Sequence, residues 1–161
     1  MDSRLDTFDI RLLNLLQQNN LAGAAELAEQ VPLSPSAITR RLRRLRDKGI
    51  IARDVALLSP RLMQNRVRAL VFVQLQKPCG DDDLAKLQYA LTRASEVQTC
   101  FEISGAFDLA AMVVTRDLAA FNDFADEVFA RTAAVARYET RFIKKEIKNF
   151  PSVLLDEADA A

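Results

Sequence analysis

The chain has 161 residues, 50% of them hydrophobic, which is enough for one medium core or two small ones. Its 22 Lys/Arg balance 22 Asp/Glu, yet residues 1–66 hold 11 basic against 7 acidic side chains and residues 67–161 hold 11 against 15, so a basic half precedes an acidic one. The lack of histidine excludes the commonest hydrolase triads and zinc sites, and no apolar run approaches the roughly 20 residues that span a bilayer.

Cys79 and Cys100 have no metal spacing and are too few for a disulfide scaffold, so they are expected to be reduced thiols of a soluble, cytoplasmic protein. No phosphate-cradling glycine loop and no converging acid, base and nucleophile are present, so neither an enzyme nor a resident cofactor or metal is expected.

Asp6 is placed to cap a first helix whose Phe8, Ile10, Leu12, Leu13, Leu15 and Leu16 give it a wide apolar surface. A short second helix follows, with Ala24, Leu27, Ala28 and Val31 on one face and Gly23 as a weak cap. After a turn at Pro32-Leu33, Ser34 caps a third helix and Pro35 takes its first position, where the missing N–H costs nothing. Ile38, Leu42 and Leu45 recur at core spacing, Gly49 ends the helix, and Ser36, Thr39, Arg40, Arg43 and Arg44 are left outward.

Seven basic residues lie between Arg40 and Arg53, a self-repelling density that phosphates would neutralise. Arginine also binds guanine bidentately, so a short helix, a tight turn and an arginine-rich helix predict a helix-turn-helix reading double-stranded DNA. The candidate contacts are Ser34, Ser36, Thr39, Arg40, Arg43 and Arg44, with Arg41 and Arg46 placed for the phosphate backbone. Gly49 to Leu58 is expected to be a strand-rich wing ending at Ser59-Pro60.

The second half opens with a valine-rich strand from Val67 to Gln76, with Val71, Val73 and Leu75 on one face and Leu70 and Phe72 on the other. Asp81, Asp82 and Asp83 precede a helix bearing Leu84, Leu87, Leu91 and Ala94, where they suit the positive end of the helix dipole better than a metal. Strands from Val97 to Ser104 and from Asp108 to Thr115 flank a turn at Gly105-Ala106. Asp117 then caps a helix with Leu118, Phe121, Ala125 and Val128, and a last strand runs from Ala136 to Ile147.

The expected class is therefore α+β: a winged helix-turn-helix over residues 1–62, a ferredoxin-like βαββαβ domain over 63–150, and a tail over 151–161 that is frayed from Leu154 to Ala161. Both helices of that second fold cover one sheet face, so the other needs a second copy, which predicts a homodimer. Leu109 to Thr115 carries no aromatic, which argues against RNA binding by the sheet.

The sequence resembles the Lrp/AsnC, or feast-famine, regulators over nearly its whole length. The resemblance rests on Leu5-Asp6 and the leucines after Ile10, Glu26-Leu27-Ala28, Leu33-Ser34-Pro35, Arg41-Leu42 through Leu45, Gly49-Ile50-Ile51, and Ser104-Gly105-Ala106-Phe107-Asp108. It implies a transcriptional regulator whose DNA affinity or assembly responds to an amino acid or related metabolite, with dimers assembling into octamers or other higher forms. It assigns Gly105, Phe107, Asp108, Tyr138 and Thr140 to the effector cleft. Three positions depart from the pattern: Pro32 replaces a turn glycine, Gly23 a serine, and Tyr138 a small hydroxyl residue. A nucleoid-associated architectural protein with weak sequence preference is the alternative within this resemblance.

Overall fold

Asp6 and Asp9 begin the first helix together. The Asp6 carboxylate accepts the Asp9 N–H at 2.9 Å and the Asp9 carboxylate accepts the Asp6 N–H at 3.2 Å, a reciprocal capping box. In the computed structural model, which describes residues 4–160, α1 (Thr7–Gln18) follows and buries Ile10, Leu12, Leu13 and Leu16. The ends of the expected first domain and tail, residues 1–3 and 161, lie outside the described residues.

Helix α2 (Ala24–Ala28) starts at Gly23 without a side-chain cap. The turn after it is closed by the Leu33 N–H on the Val31 carbonyl at 2.7 Å, with Pro32 between them. A turn of that size needs a negative φ near the value a proline ring enforces, so Pro32 replaces the usual glycine without strain. Helix α3 (Pro35–Asp47) is capped by Ser34 Oγ, which accepts the Ala37 N–H at 3.3 Å, and it buries Ile38, Leu42 and Leu45. Its end is a Schellman motif: Gly49, at φ 70°, donates to Arg46 O at 2.9 Å, and Ile50 donates to Leu45 O at 2.9 Å.

Two expectations fail beyond α3. The segment Ala52–Ser59 carries no strand; Val55, Leu57 and Leu58 are more than 60% exposed. A strand needs a ladder partner, and this stretch of a single chain has none among the described residues. The tail is also not frayed. Leu155 packs against the core formed by α1, α2 and α3, and the Asn14 amide donates to Leu155 O at 2.9 Å and accepts its N–H at 3.0 Å. Gln17, one turn further along α1, does the same to Val153 at 2.8 and 2.7 Å. The chain accordingly divides into one unit of Met1–Leu57 with Lys148–Ala161 and another of Leu58–Ile147.

The second unit has strands β1 (Val67–Leu75), β2 (Val97–Glu102), β3 (Leu109–Thr115) and β4 (Val135–Phe142) with helices α4 (Asp81–Arg93) and α5 (Leu118–Ala125). The sheet is antiparallel in the order β2-β3-β1-β4, the ferredoxin-like arrangement. Helix α5 runs on into a π-helical turn over Asp126–Ala130, which buries Val128 and Phe129. Strand β4 stops at Phe142, opposite Ala69, rather than at Ile147; the Arg68–Glu146 ion pair at 2.6 Å secures the chain beyond it.

Alternation fixes two faces. Ala69, Val71, Val73, Leu109, Ala111 and Val113 are buried with Leu87, Leu91, Phe121, Phe124 and Phe129 of the helical layer. Leu70, Phe72, Ala110, Met112 and Val114 point the other way and stay half-buried.

The docked tail gives a direct test. Asn14→Ala removes both partners of Leu155, and each hydrogen bond is worth about 1 kcal/mol net. Urea unfolding of the variant is expected to show a loss of about 1–2 kcal/mol, and an unchanged midpoint would refute the docking.

Candidate functional site

The α3 surface divides its arginines by what they touch. Arg41 Nη1 lies 2.6 Å from Asp6 Oδ2 and 2.9 Å from Asp9 Oδ1, and its guanidinium stands 5.6 Å from the Phe8 ring. Arg44 Nη2 donates to Asp9 Oδ2. Asp9 has no exposed surface, so it is a buried carboxylate matched by two cations and by the Asp6 N–H. Burial pushes the Asp6 carboxyl up, but the Asp9 N–H and Arg41 outweigh it and hold it below its usual range; Asp6 in turn leads in raising the Arg41 guanidinium. Arg46 forms a two-point contact with Asp54 at 2.9 and 3.3 Å, which holds that carboxyl low.

Arg44 was expected to face bases, and Arg41 and Arg46 to face phosphates; all three are instead engaged within the unit. Two remain outward. Arg40 is exposed and makes no ion pair or hydrogen bond among the described residues, while Arg43 is 84% exposed with Asp47 only at 3.9 Å. An exposed pair at that distance contributes little, so both guanidinium groups are available to a ligand. Ser34 Oγ, spent on the cap, lies 3.1 Å from Ser36 Oγ, and Thr39 Oγ1 donates to Pro35 O at 2.9 Å. The Ser36 hydroxyl and the Thr39 side chain remain at the surface.

In the second unit, Gly105, at φ 126°, turns the connection between β2 and β3, a conformation that strains any side-chain-bearing residue. Asp108 fixes the loop to β1: its N–H donates to Val73 O at 2.9 Å and its carboxylate accepts the Leu75 N–H at 2.8 Å. Lys77 Nζ lies 3.3 Å from the same carboxylate. The Leu75 N–H, then Lys77, hold the Asp108 carboxyl below its ordinary range. Phe107 packs on Phe72 at 5.7 Å and under the Arg137 guanidinium at 5.1 Å.

The five expected effector residues do not form one cleft in a single chain. Phe107 lies with Phe72 on the open sheet face, whereas Tyr138 and Thr140 pair with Val73 and Val71 and so face the helices. Tyr138 packs on Phe129 at 5.3 Å, which accommodates the bulk that replaces a small hydroxyl residue. Sequence reasoning missed the open-face row beside Phe107: Arg137, Glu139 and Arg141, with Arg141 5.5 Å from the Phe72 ring and Glu139 3.5 and 3.6 Å from the two guanidinium groups. The every-second-residue charge alternation of β4 was the available signal. A groove of about 260 Å³ between α4 and β2 contains none of the five.

The depressed Asp108 value sets a pH dependence. The stabilisation it brings is complete above the unfolded carboxyl pKa of about 3.9 and is lost as pH falls through the lower folded value. Asp108→Asn is therefore expected to be less stable than the parent at pH 7 and to converge with it below about pH 3.9. Thermal melts across that range check this, and a gap that does not change with pH would exclude the pairing.

Residues 5–52 match the model of a winged helix-turn-helix DNA-binding domain, and residues 68–153 match that of the Lrp/AsnC ligand-binding domain. The chain is 31% identical over 145 residues to the leucine-responsive regulatory protein of Escherichia coli, covering 89% of this chain and 87% of that one. It is 30% identical over 145 residues to the Bkd operon transcriptional regulator of Pseudomonas aeruginosa, covering 90% and 94%. Among solved structures, a transcriptional regulator of Neisseria meningitidis in complex with L-methionine superposes with a TM-score of 0.86 at 32% identity, over 96% of this chain and 99% of that one. The feast or famine regulatory protein of Mycobacterium tuberculosis, complexed with L-methionine, gives 0.79 at 26% identity, over 94% and 99%. No helix among the described residues is long and apolar enough to cross a membrane. The chain belongs to the Lrp/AsnC family and is a DNA-binding transcription regulator rather than an enzyme.

Proposed function

We propose that α3 enters the major groove of double-stranded DNA and that Ser36, Thr39, Arg40 and Arg43, with Ser34 at the helix start, make its contacts. Arg40 and Arg43 carry this reading: they are the cations of α3 that stand outward on a well-capped helix without a strong partner of their own. Arg44 is left out because Asp9 holds it. The alternative of an architectural protein gains nothing from the relatives, whose names are those of regulators.

The second unit binds an amino acid in this proposal, as the L-methionine complexes of two similar structures suggest. Gly105 offers main chain to the ligand, Asp108 keeps the loop in place, and Phe107 supplies an apolar wall. Because Phe107 and Tyr138 lie on opposite sheet faces, a cleft that uses all five residues requires a second copy. The open face of Leu70, Phe72, Met112 and Val114 suits a homodimer, and a higher assembly such as an octamer would bring further copies together.

The test starts from duplexes selected out of a random library. Arg40→Ala with Arg43→Ala is expected to lower affinity for the selected site at least about tenfold and to flatten the salt dependence by about 0.9 for each lost phosphate contact. Unchanged affinity would reject the helix as the reading element. For the effector, an amino-acid series beginning with L-methionine is expected to raise the melting temperature, by the equivalent of about 2.7 kcal/mol at a hundredfold excess over the dissociation constant. A series without a shift would reject the amino-acid assignment.

A further inference from the structure

We propose that Asp9 is a positioning residue for DNA reading: it withdraws Arg44, and with Asp6 also Arg41, from the phosphate-binding set, leaving Arg40 and Arg43 to make it. The inference rests on the α3 reading above and adds what limits it.

Asp9 sits in the first turn of α1, where its neighbours Ile10, Leu12, Leu13 and Leu16 are all buried and apolar, yet it is a carboxylate with no exposed surface. It accepts the Asp6 N–H at 3.2 Å and Arg41 Nη1 at 2.9 Å, and it also holds Arg44 Nη2. A buried ion pair is often no more stabilising than well-packed apolar residues of the same volume, so stability alone does not account for a carboxylate at this position. Its geometry indicates what does.

Arg44 lies one turn from Arg40 on α3, so the two side chains leave neighbouring positions of the helix surface. The Arg44 side chain is 41% exposed even while paired. Released from Asp9, it would swing toward the same phosphate strand that Arg40 approaches. A phosphate contact adds affinity for every sequence and information about none, so an extra free arginine would strengthen random-DNA binding and dilute discrimination. Holding Arg44 on Asp9 also ties α3 to α1, which sets how Arg40 and Arg43 are presented.

Asp9→Asn is nearly isosteric and keeps an acceptor for the Asp6 N–H. Fluorescence anisotropy of the full-length protein on selected and random duplexes, across a KCl series, is the experiment. The expected result is at least about threefold tighter binding to random duplex at low salt, a salt slope steeper by about 0.9 for the freed arginine, and a smaller selected-to-random ratio. A merely structural role would weaken binding to both duplexes with the slope unmoved, and that outcome overturns the proposal. Adding Arg44→Gln to Asp9→Asn is expected to return the slope to the parent value; a slope that stays steep overturns it.

Should Asp9→Asn not fold, Arg44→Gln alone decides. A parental slope supports the proposal, and a slope flatter by about 0.9 shows Arg44 already on phosphate and overturns it. The Arg40→Ala/Arg43→Ala protein separates the two levels. If it keeps the parent's affinity for the selected site, the α3 reading itself fails; if it loses affinity while Asp9→Asn changes nothing, only the role of Asp9 fails.

Discussion

A carboxylate removed from water must be matched by cations and donors, or the element that carries it cannot pack. Asp9 is matched from three directions: by the Asp6 N–H at its own helix start, and by Arg41 and Arg44 from α3. The same contacts begin α1, fasten α3 to it, and decide which arginines remain outside. The apolar contacts of Leu12, Leu13 and Leu16 with Ile38, Leu42 and Leu45 supply the burial, but they would tolerate some sliding of one helix along the other. Directional bonds from one buried carboxylate to two arginines three residues apart do not. The outward face of α3 is therefore defined as much by α1 as by the α3 sequence.

Local chemistry was legible in the sequence. The Ser34-Pro35 start of α3, its buried triplet, the Gly49 stop and the Asp6 and Asp117 caps each depend on residues within a few positions, and each stands where the spacing places it. The two faces of β1 were also legible, because strand alternation needs no knowledge of the partner strand. Contacts between distant residues were not. Helical periodicity puts Arg44 on the outer half of α3, and only the packing of α1 brings Asp9, 35 positions away, to its guanidinium. The tail was unreadable for the same reason: Asn14 and Gln17 look like ordinary polar helix positions until an extended segment 136 to 141 residues later lies beside them.

The candidate effector residues mark another boundary between local and global information. A motif supplies Gly105, Phe107 and Asp108 as one loop, and the fold explains each of them in isolation: a positive φ, an aromatic contact, a carboxylate that ties the loop to β1. Joining Tyr138 and Thr140 to them requires the register of β4 on β1, and that register turns both side chains toward the helices. What the loop has beside it instead is the Arg137, Glu139 and Arg141 row, with Phe72 beneath. This charged and aromatic face is where the sheet's chemistry is concentrated outside its core.

Charge shows the same dependence on folding. By position, residues 1–66 are basic and residues 67–161 acidic, which suggests a cationic reading domain. By unit, the imbalance disappears. Residues 1–57 hold 9 Lys/Arg against 7 Asp/Glu and the docked segment 148–161 holds 1 against 3, while residues 58–147 hold 12 against 12. Both units are formally neutral. Attraction to a polyanion then rests on where charges stand and not on their sum: the tail places Asp156, Glu157 and Asp159 in the same unit as α3, Asp6 and Asp9 neutralise its inner arginines, and Arg40 and Arg43 keep theirs. A field confined to one helix face falls off within about 8–10 Å at ordinary salt, so it acts only at close range. Long-range steering by a uniformly basic domain would hold the protein on any DNA; a neutral unit with two outward arginines favours contacts made in register.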